Sequence, residues 1–163
     1  MKRIIGIVTA LTLFLSLGIN ARAEEIEDAP TTIIIYSEII GEKYNVCPEL
    51  LQSIAYHESR FNANAKNGNC IGLMQVNGKV HKERLAGYGW TEKDLTSIYR
   101  NMTVAADYLS ELFDEYEDVG LVLAHYQGNT KAVKNFKNNG KLSDYTKAVL
   151  DRSYAYEELH GKH

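Results

Sequence analysis

Histidine pairs, basic stretches and reactive-serine turns are all missing from this chain, and each absence removes a class of function. His57-Glu58 begins the pattern of a zinc-protease helix, but the second histidine of that pattern would fall at Phe61. His81, His125, His160 and His163 show no spacing that puts two imidazoles on one helix face, so no metal site and no other cofactor is expected. Catalysis of the Ser/His/Asp kind lacks a Gly-x-Ser-x-Gly turn to carry its nucleophile. Basic side chains number 18 against 21 acidic ones, and they never gather into the patch or stripe that a nucleic-acid partner needs. Repeats and low-complexity segments are lacking too, which leaves one ordinary domain as the simplest organisation of 163 residues.

Long hydrophobic runs are limited to one, at the start. Lys2-Arg3, the apolar run Ile4 to Ile19 and Ala21-Arg22-Ala23 read as the basic region, hydrophobic region and cleavage site of a secretory signal over residues 1–23. An uncleaved anchor is the alternative, although the run is short against the ~20 residues of a usual span. No later segment is long and apolar enough to cross a bilayer, so the expected location is the periplasm, the cell envelope or the outside. Without residues 1–23 the balance is 15 basic to 21 acidic side chains, which suits an uncharged or locally read substrate. Residues 24–30 are acidic and aperiodic, a flexible leader, and residues 31–163 form the domain. Cysteine is almost as scarce: Cys47 and Cys70 are the only two. In an exported chain an even pair points to a disulfide, worth roughly 3 kcal/mol for a loop of this length; two free buried thiols are the other reading.

What is present is helical periodicity. A helix is expected from Thr31 or Thr32 to about Tyr44, its apolar side made of Ile33, Ile34, Tyr36, Ile39 and Ile40. Pro48 suits the first position of the next helix, which runs to Arg60. Asn62 to Asn69 has the composition of an irregular loop, and Asn77-Gly78 could join two strands of a small hairpin. A short turn at His81 to Leu85 and a Thr91-capped segment precede the clearest helix, Arg100 to Tyr116, with Val104, Tyr108, Leu109, Leu112 and Phe113 at intervals of three and four. Val119 to Gln127 is apolar all round and therefore buried. Thr130 can cap a helix to Asn138, and Ser143 can start a last one that packs through Tyr145, Val149, Leu150, Tyr154 and Leu159. The fold class is mainly α: about seven helices around one core.

Glu58 is the candidate catalytic acid. Leu51, Ile54 and Ala55 precede it by seven, four and three positions, so its carboxylate shares the apolar face of its helix. Burial there disfavours the ionised form and raises the pKa toward that of a proton donor near neutral pH. On spacing alone a glutamate at such a place is more often a partly exposed or ion-paired residue than a catalyst.

The residues around Glu58 tip this balance. Glu58-Ser59 with Phe61-Asn62, Gly72-Leu73-Met74-Gln75, Asn101 with Tyr108-Leu109, Ala124-x-Tyr126-x-Gly128, and Tyr145 with Val149-Leu150 follow one another in an order that resembles the lytic transglycosylase family, soluble lytic murein type. The resemblance runs from about Ile34 to Tyr154. It implies a lysozyme-like helical fold, Glu58 as the catalytic residue, Ser59 as its polar support, and Met74, Gln75 and Tyr126 along the substrate cleft. The implied reaction is cleavage of peptidoglycan strands between N-acetylmuramic acid and N-acetylglucosamine with a 1,6-anhydromuramic product, Glu58 serving first as acid and then as base. The alternatives are a lysozyme-like hydrolase and a catalytically silent glycan-binding module of a secretion or conjugation apparatus, whose machinery would then be a partner. His125, Gln127, Ala105, Asn67 and Asn69-Cys70 depart from the residues common in the family. They leave the acid intact and bear on the sugar contacts.

Overall fold

A computed structural model describes residues 26–162, so the expected export signal and His163 lie outside the described residues. Helix α1 (Thr31–Tyr44) ends where Asn45 takes a left-handed conformation, φ 54°. The chain then turns tightly across Gly41, where a Cβ would lie 2.5 Å from the Val46 carbonyl oxygen. Pro48 opens α2 (Pro48–Ser59), a place where its missing N–H costs no helical hydrogen bond. After α2 come three two-residue strands, β1 (Lys66–Asn67), β2 (Cys70–Ile71) and β3 (Val76–Asn77), in an antiparallel sheet of order β1-β2-β3. The pairs Asn67 with Cys70 and Ile71 with Val76 set its register.

The remaining elements are helical: α3 (Lys82–Gly87), a 3-10 turn (Glu92–Thr96), α4 (Ile98–Glu115), α5 (Val119–Tyr126), α6 (Thr130–Asn139) and α7 (Asp144–Leu159). Side chains cap α4, α5, α6 and α7 as helix physics requires, Asp118 Oδ1 accepting from Gly120 N at 2.7 Å at the start of α5. Ser97 Oγ accepts from Arg100 N at 3.5 Å, Asn129 Oδ1 from Ala132 N at 3.0 Å, and Ser143 Oγ from Thr146 N at 3.1 Å. Asn129 therefore takes the capping place expected of Thr130. Helix α2 lies between α1 and α7, and α4 packs on α1 and α5. Leu51, Ile54, Met102, Leu109, Leu123 and Val149 are fully buried where these helices meet.

Four expectations need correction. The hairpin turn falls at Gly68-Asn69 between β1 and β2, inside the stretch read as irregular, while Asn77 ends the last strand. On α7, Tyr156 is buried and Tyr154 and Leu159 are exposed, because Val149, Ser153 and Tyr156 follow one face at intervals of four and three. On α1, Ile39 is exposed and Ser37 is buried in its stead, with its hydroxyl accepting from Gln52 Nε2 at 2.8 Å. The expected Cys47–Cys70 disulfide is absent: both thiols are free. Cys47 precedes the first residue of α2, whereas Cys70 lies beside Glu58 at the other end. A 12-residue helix is about 18 Å long, far beyond the ~7 Å Cα separation that a disulfide tolerates.

Candidate active site

Glu58 stands in the last turn of α2, one turn beyond the buried Ile54 and Ala55. Arg60 and Phe61, with φ of 54° and 64°, then turn the chain away from the helix axis. This leaves Glu58 half-buried in a cleft of about 450 Å³ whose walls come from the small sheet, α4, α5 and α7. Tyr145, from the first turn of α7, donates its hydroxyl to Glu58 Oε1 at 2.5 Å. Among the described residues no donor reaches the other carboxylate oxygen, and no other carboxylate lines the cleft.

Burial pushes the Glu58 carboxyl above its ordinary pKa, and the Tyr145 hydrogen bond pulls the other way because it favours the ionised form. Tyr145 and Tyr126 are themselves raised well beyond the usual phenol value, by burial first and by the neighbouring Glu58 second. Both phenols therefore stay protonated and serve as donors. The site thus combines a carboxyl whose protonated form burial favours with a donor fixed on one of its oxygens.

The segment Gly72 to Gln75 forms the facing wall, and its shape depends on one buried amide. Asn101, on α4, accepts from Met74 N through Oδ1 and donates through Nδ2 to the carbonyls of Ile71 and Leu95, each at 2.8 Å. Gly72 makes that approach possible. Its φ is 82°, and a Cβ there would stand 2.1 Å from Leu95 O and 2.3 Å from Asn101 Nδ2.

The expected site residues divide between cleft and support. Gln75 lines the cleft at a left-handed φ of 49°, its Nε2 tied to Gly72 O at 2.9 Å and Ala65 O at 3.3 Å. Tyr126 also lines the cleft, with its hydroxyl donating to Met74 O at 2.9 Å. Ser59 is turned to the loop instead, donating to Leu73 O at 2.7 Å and Ala55 O at 3.2 Å. Met74 does not line the cleft; its side chain is fully buried, and only its backbone carbonyl serves the site, by holding Tyr126.

Sequence reasoning placed Tyr145 on a packing face and missed its contact with Glu58, since 87 residues separate them and no periodicity links α2 to α7. His57, His81, His125 and Cys70 reach the same cleft. No group of three His, Cys, Asp or Glu among the described residues has the arrangement of a metal site.

Comparison with known proteins bears on the same residues. The family model of the transglycosylase SLT domain matches residues 35–148, a span that includes Glu58, the Gly72–Gln75 segment, Tyr126 and Tyr145. Protein IpgF of Shigella flexneri is 36% identical over 81 residues, covering 47% of this chain and 51% of that protein. X polypeptide of Escherichia coli is 34% identical over 85 residues, covering 48% of this chain and 50% of that protein. The chain spans about half the length of the curated relatives it matches. With the family model covering well over half of its residues, the chain belongs to the transglycosylase SLT domain family.

Proposed function

We propose that this protein is a peptidoglycan lytic transglycosylase in which Glu58 alone supplies the acid and then the base. The observation that carries the reading is a raised, half-buried carboxyl at the cleft, held by Tyr145 with no second carboxylate beside it among the described residues. Glycosidases that use water employ two carboxyl groups flanking the bond. A single carboxyl suits a reaction whose nucleophile comes from the substrate.

In the first step protonated Glu58 gives its proton to the glycosidic oxygen between N-acetylmuramic acid and N-acetylglucosamine. The anomeric C–O bond breaks, and its electron pair leaves with that oxygen. Glu58, now ionised and stabilised by the Tyr145 hydroxyl, takes the proton from the muramic 6-hydroxyl, whose oxygen attacks the anomeric carbon and closes the 1,6-anhydro ring. No water is consumed and Glu58 ends protonated as it began. Gln75 and Tyr126 contact the sugar, Gln75 through the oxygen of an amide whose nitrogen is already engaged. Ser59 and Asn101 act indirectly, by holding the loop that positions both.

The proposal places the protein among cell-wall strands in the periplasm or envelope. No helix among the described residues is long and apolar enough to cross a membrane. Digestion of purified sacculi by wild type and Glu58→Gln tests the reaction. Wild type should release products with anhydro ends, lighter by one water than hydrolysed ends, and the variant should release none. Hydrolysed ends would identify a lysozyme-like hydrolase, and equal release by both proteins would remove Glu58 from the chemistry.

A further inference from the structure

Tyr145 stands in the first turn of α7, soon after the exposed residues 137–142, so its place depends on what holds α7 farther along. Helix ends fray where nothing restrains them. The restraint comes from α2. Ser53 is fully buried, and its hydroxyl donates to the Val149 carbonyl oxygen at 2.6 Å. One turn later His57 makes a hydrogen bond with the Ala148 backbone and sets its ring edge-on to Tyr145, at a centroid distance of 6.3 Å and an angle of 73°.

These contacts fix a register between two helices. Ser53, His57 and Glu58 follow one side of α2, and their partners Val149, Ala148 and Tyr145 run the opposite way along α7. The Val149 carbonyl lies inside α7 and already has a helical partner, so the bond from Ser53 adds position and satisfies no orphan on α7. In a core otherwise filled by aliphatic side chains a hydroxyl costs more to bury than a methyl group. Its presence at Ser53 is explained by the carbonyl it reaches. An O–H···O bond spans only about 2.5–3.0 Å, so a slide of α7 by less than one helical rise of about 1.5 Å loosens the bond on Glu58.

His57 acts without charge. Burial first, then Arg152 and Arg60, lower its pKa against the opposing Ala148 bond, so the imidazole is neutral near pH 7. Tyr126 of α5 and Cys70 of β2, the other titratable groups that sense Glu58, are raised and stay protonated.

We infer that Ser53 and His57 are positioning residues of the reaction: they hold α7 against α2 so that the Tyr145 hydroxyl stays on Glu58 Oε1. Neither touches the bond that breaks. The inference rests on the reading of Glu58 as the acid, whereas the contact itself can be measured without any cleavage.

NMR of the Glu58 side-chain carboxyl carbon across pH reads that contact. Ser53→Ala removes the hydroxyl, and His57→Phe removes the ring nitrogens while keeping an edge on Tyr145. Each should raise the Glu58 pKa in the direction that Tyr145→Phe does and carry the alkaline limb of the pH–kcat profile with it. On sacculi kcat should fall roughly threefold while KM stays unchanged. His57→Gln, which keeps an N–H donor, should recover most of the loss. In the Tyr145→Phe background neither Ser53→Ala nor His57→Phe should move the pKa further. If Ser53→Ala does not fold, His57→Phe carries the same readout at a half-buried position. A Glu58 pKa unmoved by either substitution, or a rise that persists without the Tyr145 hydroxyl, would overturn the inference and leave the proposed reaction standing. Absence of product from wild type on sacculi would remove the proposed function and, with it, the reaction these residues serve.

Discussion

The Tyr145 hydroxyl donates to Glu58 Oε1 across 2.5 Å, joining the first turn of α7 to the last turn of α2. The bond opposes burial: burial raises the Glu58 pKa, and the phenol lowers it. Tyr145→Phe therefore lets the pKa climb further. Because the first proposed step needs the protonated acid, the alkaline limb of the pH–kcat profile should move to higher pH. The maximum rate should fall roughly tenfold as the ionised intermediate loses its donor. Solubilisation of sacculi followed across pH measures both effects, and a limb that stays in place would break the link between Tyr145 and Glu58.

Glu58 should reduce the stability of the fold it serves. A carboxyl whose native pKa lies above its unfolded value binds more protons in the native state, so stability falls as pH rises from the unfolded pKa through the native one. Glu58→Gln removes that slope. Its Tm should exceed that of wild type by about 2 °C at neutral pH and converge with it near ~pH 4. Thermal unfolding at the two pH values decides the matter: a variant less stable than wild type at neutral pH contradicts the sign.

Asn101 holds the loop that carries Gln75 and the carbonyl that anchors Tyr126. Asn101→Ala leaves the Met74 N–H and the carbonyls of Ile71 and Leu95 without this partner in a buried place, a cost of about 3 kcal/mol. Urea unfolding should show that loss, and muropeptide release should drop with it. Gly72→Ala should be at least as damaging, since its Cβ would meet backbone as well as the amide.

A second polar cluster ties the C-terminal end to the start of α2. Glu49 is 1% exposed and meets His160 Nδ1 and Lys162 Nζ, each at 2.9 Å, while His160 Nε2 reaches Asp28 at 3.2 Å. Burial favours protonated Glu49, but His160 and Lys162 outweigh it and hold the carboxyl at about 2. Burial likewise opposes charge on His160, and Glu49 and Asp28 raise its pKa above the ordinary value. The His160 contribution is thus full below the unfolded imidazole pKa and is lost as pH rises through the folded one. Glu49 contributes above its unfolded pKa and loses that contribution as pH falls toward 2. His160→Ala should cost roughly 2 kcal/mol at ~pH 6 and less at ~pH 9 by urea unfolding; an equal cost at both would refute the charged pairing.

Both cysteines should titrate as thiols in the denatured, unreduced protein. The double variant Cys47→Ser, Cys70→Ser should keep its Tm within about 2 °C of wild type, because no bridge is lost. A thiol count of zero, or a much larger fall in Tm, would restore the disulfide.

Much of the fold was legible in residue spacing. Helix α4 was readable because its apolar residues recur at three and four, and its Ser97 cap adds a local signal. The small sheet was misplaced because two-residue strands have no period to read, and Lys66-Asn67 looks like any polar loop until Cys70 and Ile71 pair with it. Tyr154 and Tyr156 differ by two positions on one helix, and only the partner surface of α7 decides which of them is buried.

At the site, Glu58 stood out in the sequence as a carboxylate on an apolar stripe, and the Gly72 to Gln75 segment as a contiguous motif of the family it resembles. The roles of Ser59 and Met74 did not, since orientation into cleft or core depends on what lies across the loop. The sequence by itself determined the helices and the place of Glu58 on an apolar face, which rest on local spacing, and the likeness to a family, which rests on the order of short motifs. Tertiary structure alone decided that Tyr145 meets Glu58, that Asn101 ties down the facing wall, and that Cys47 and Cys70 lie at opposite ends of one helix. These are contacts across 27 to 87 residues, or the length of a rigid helix, and no local pattern encodes distances between elements that meet only when the core is packed.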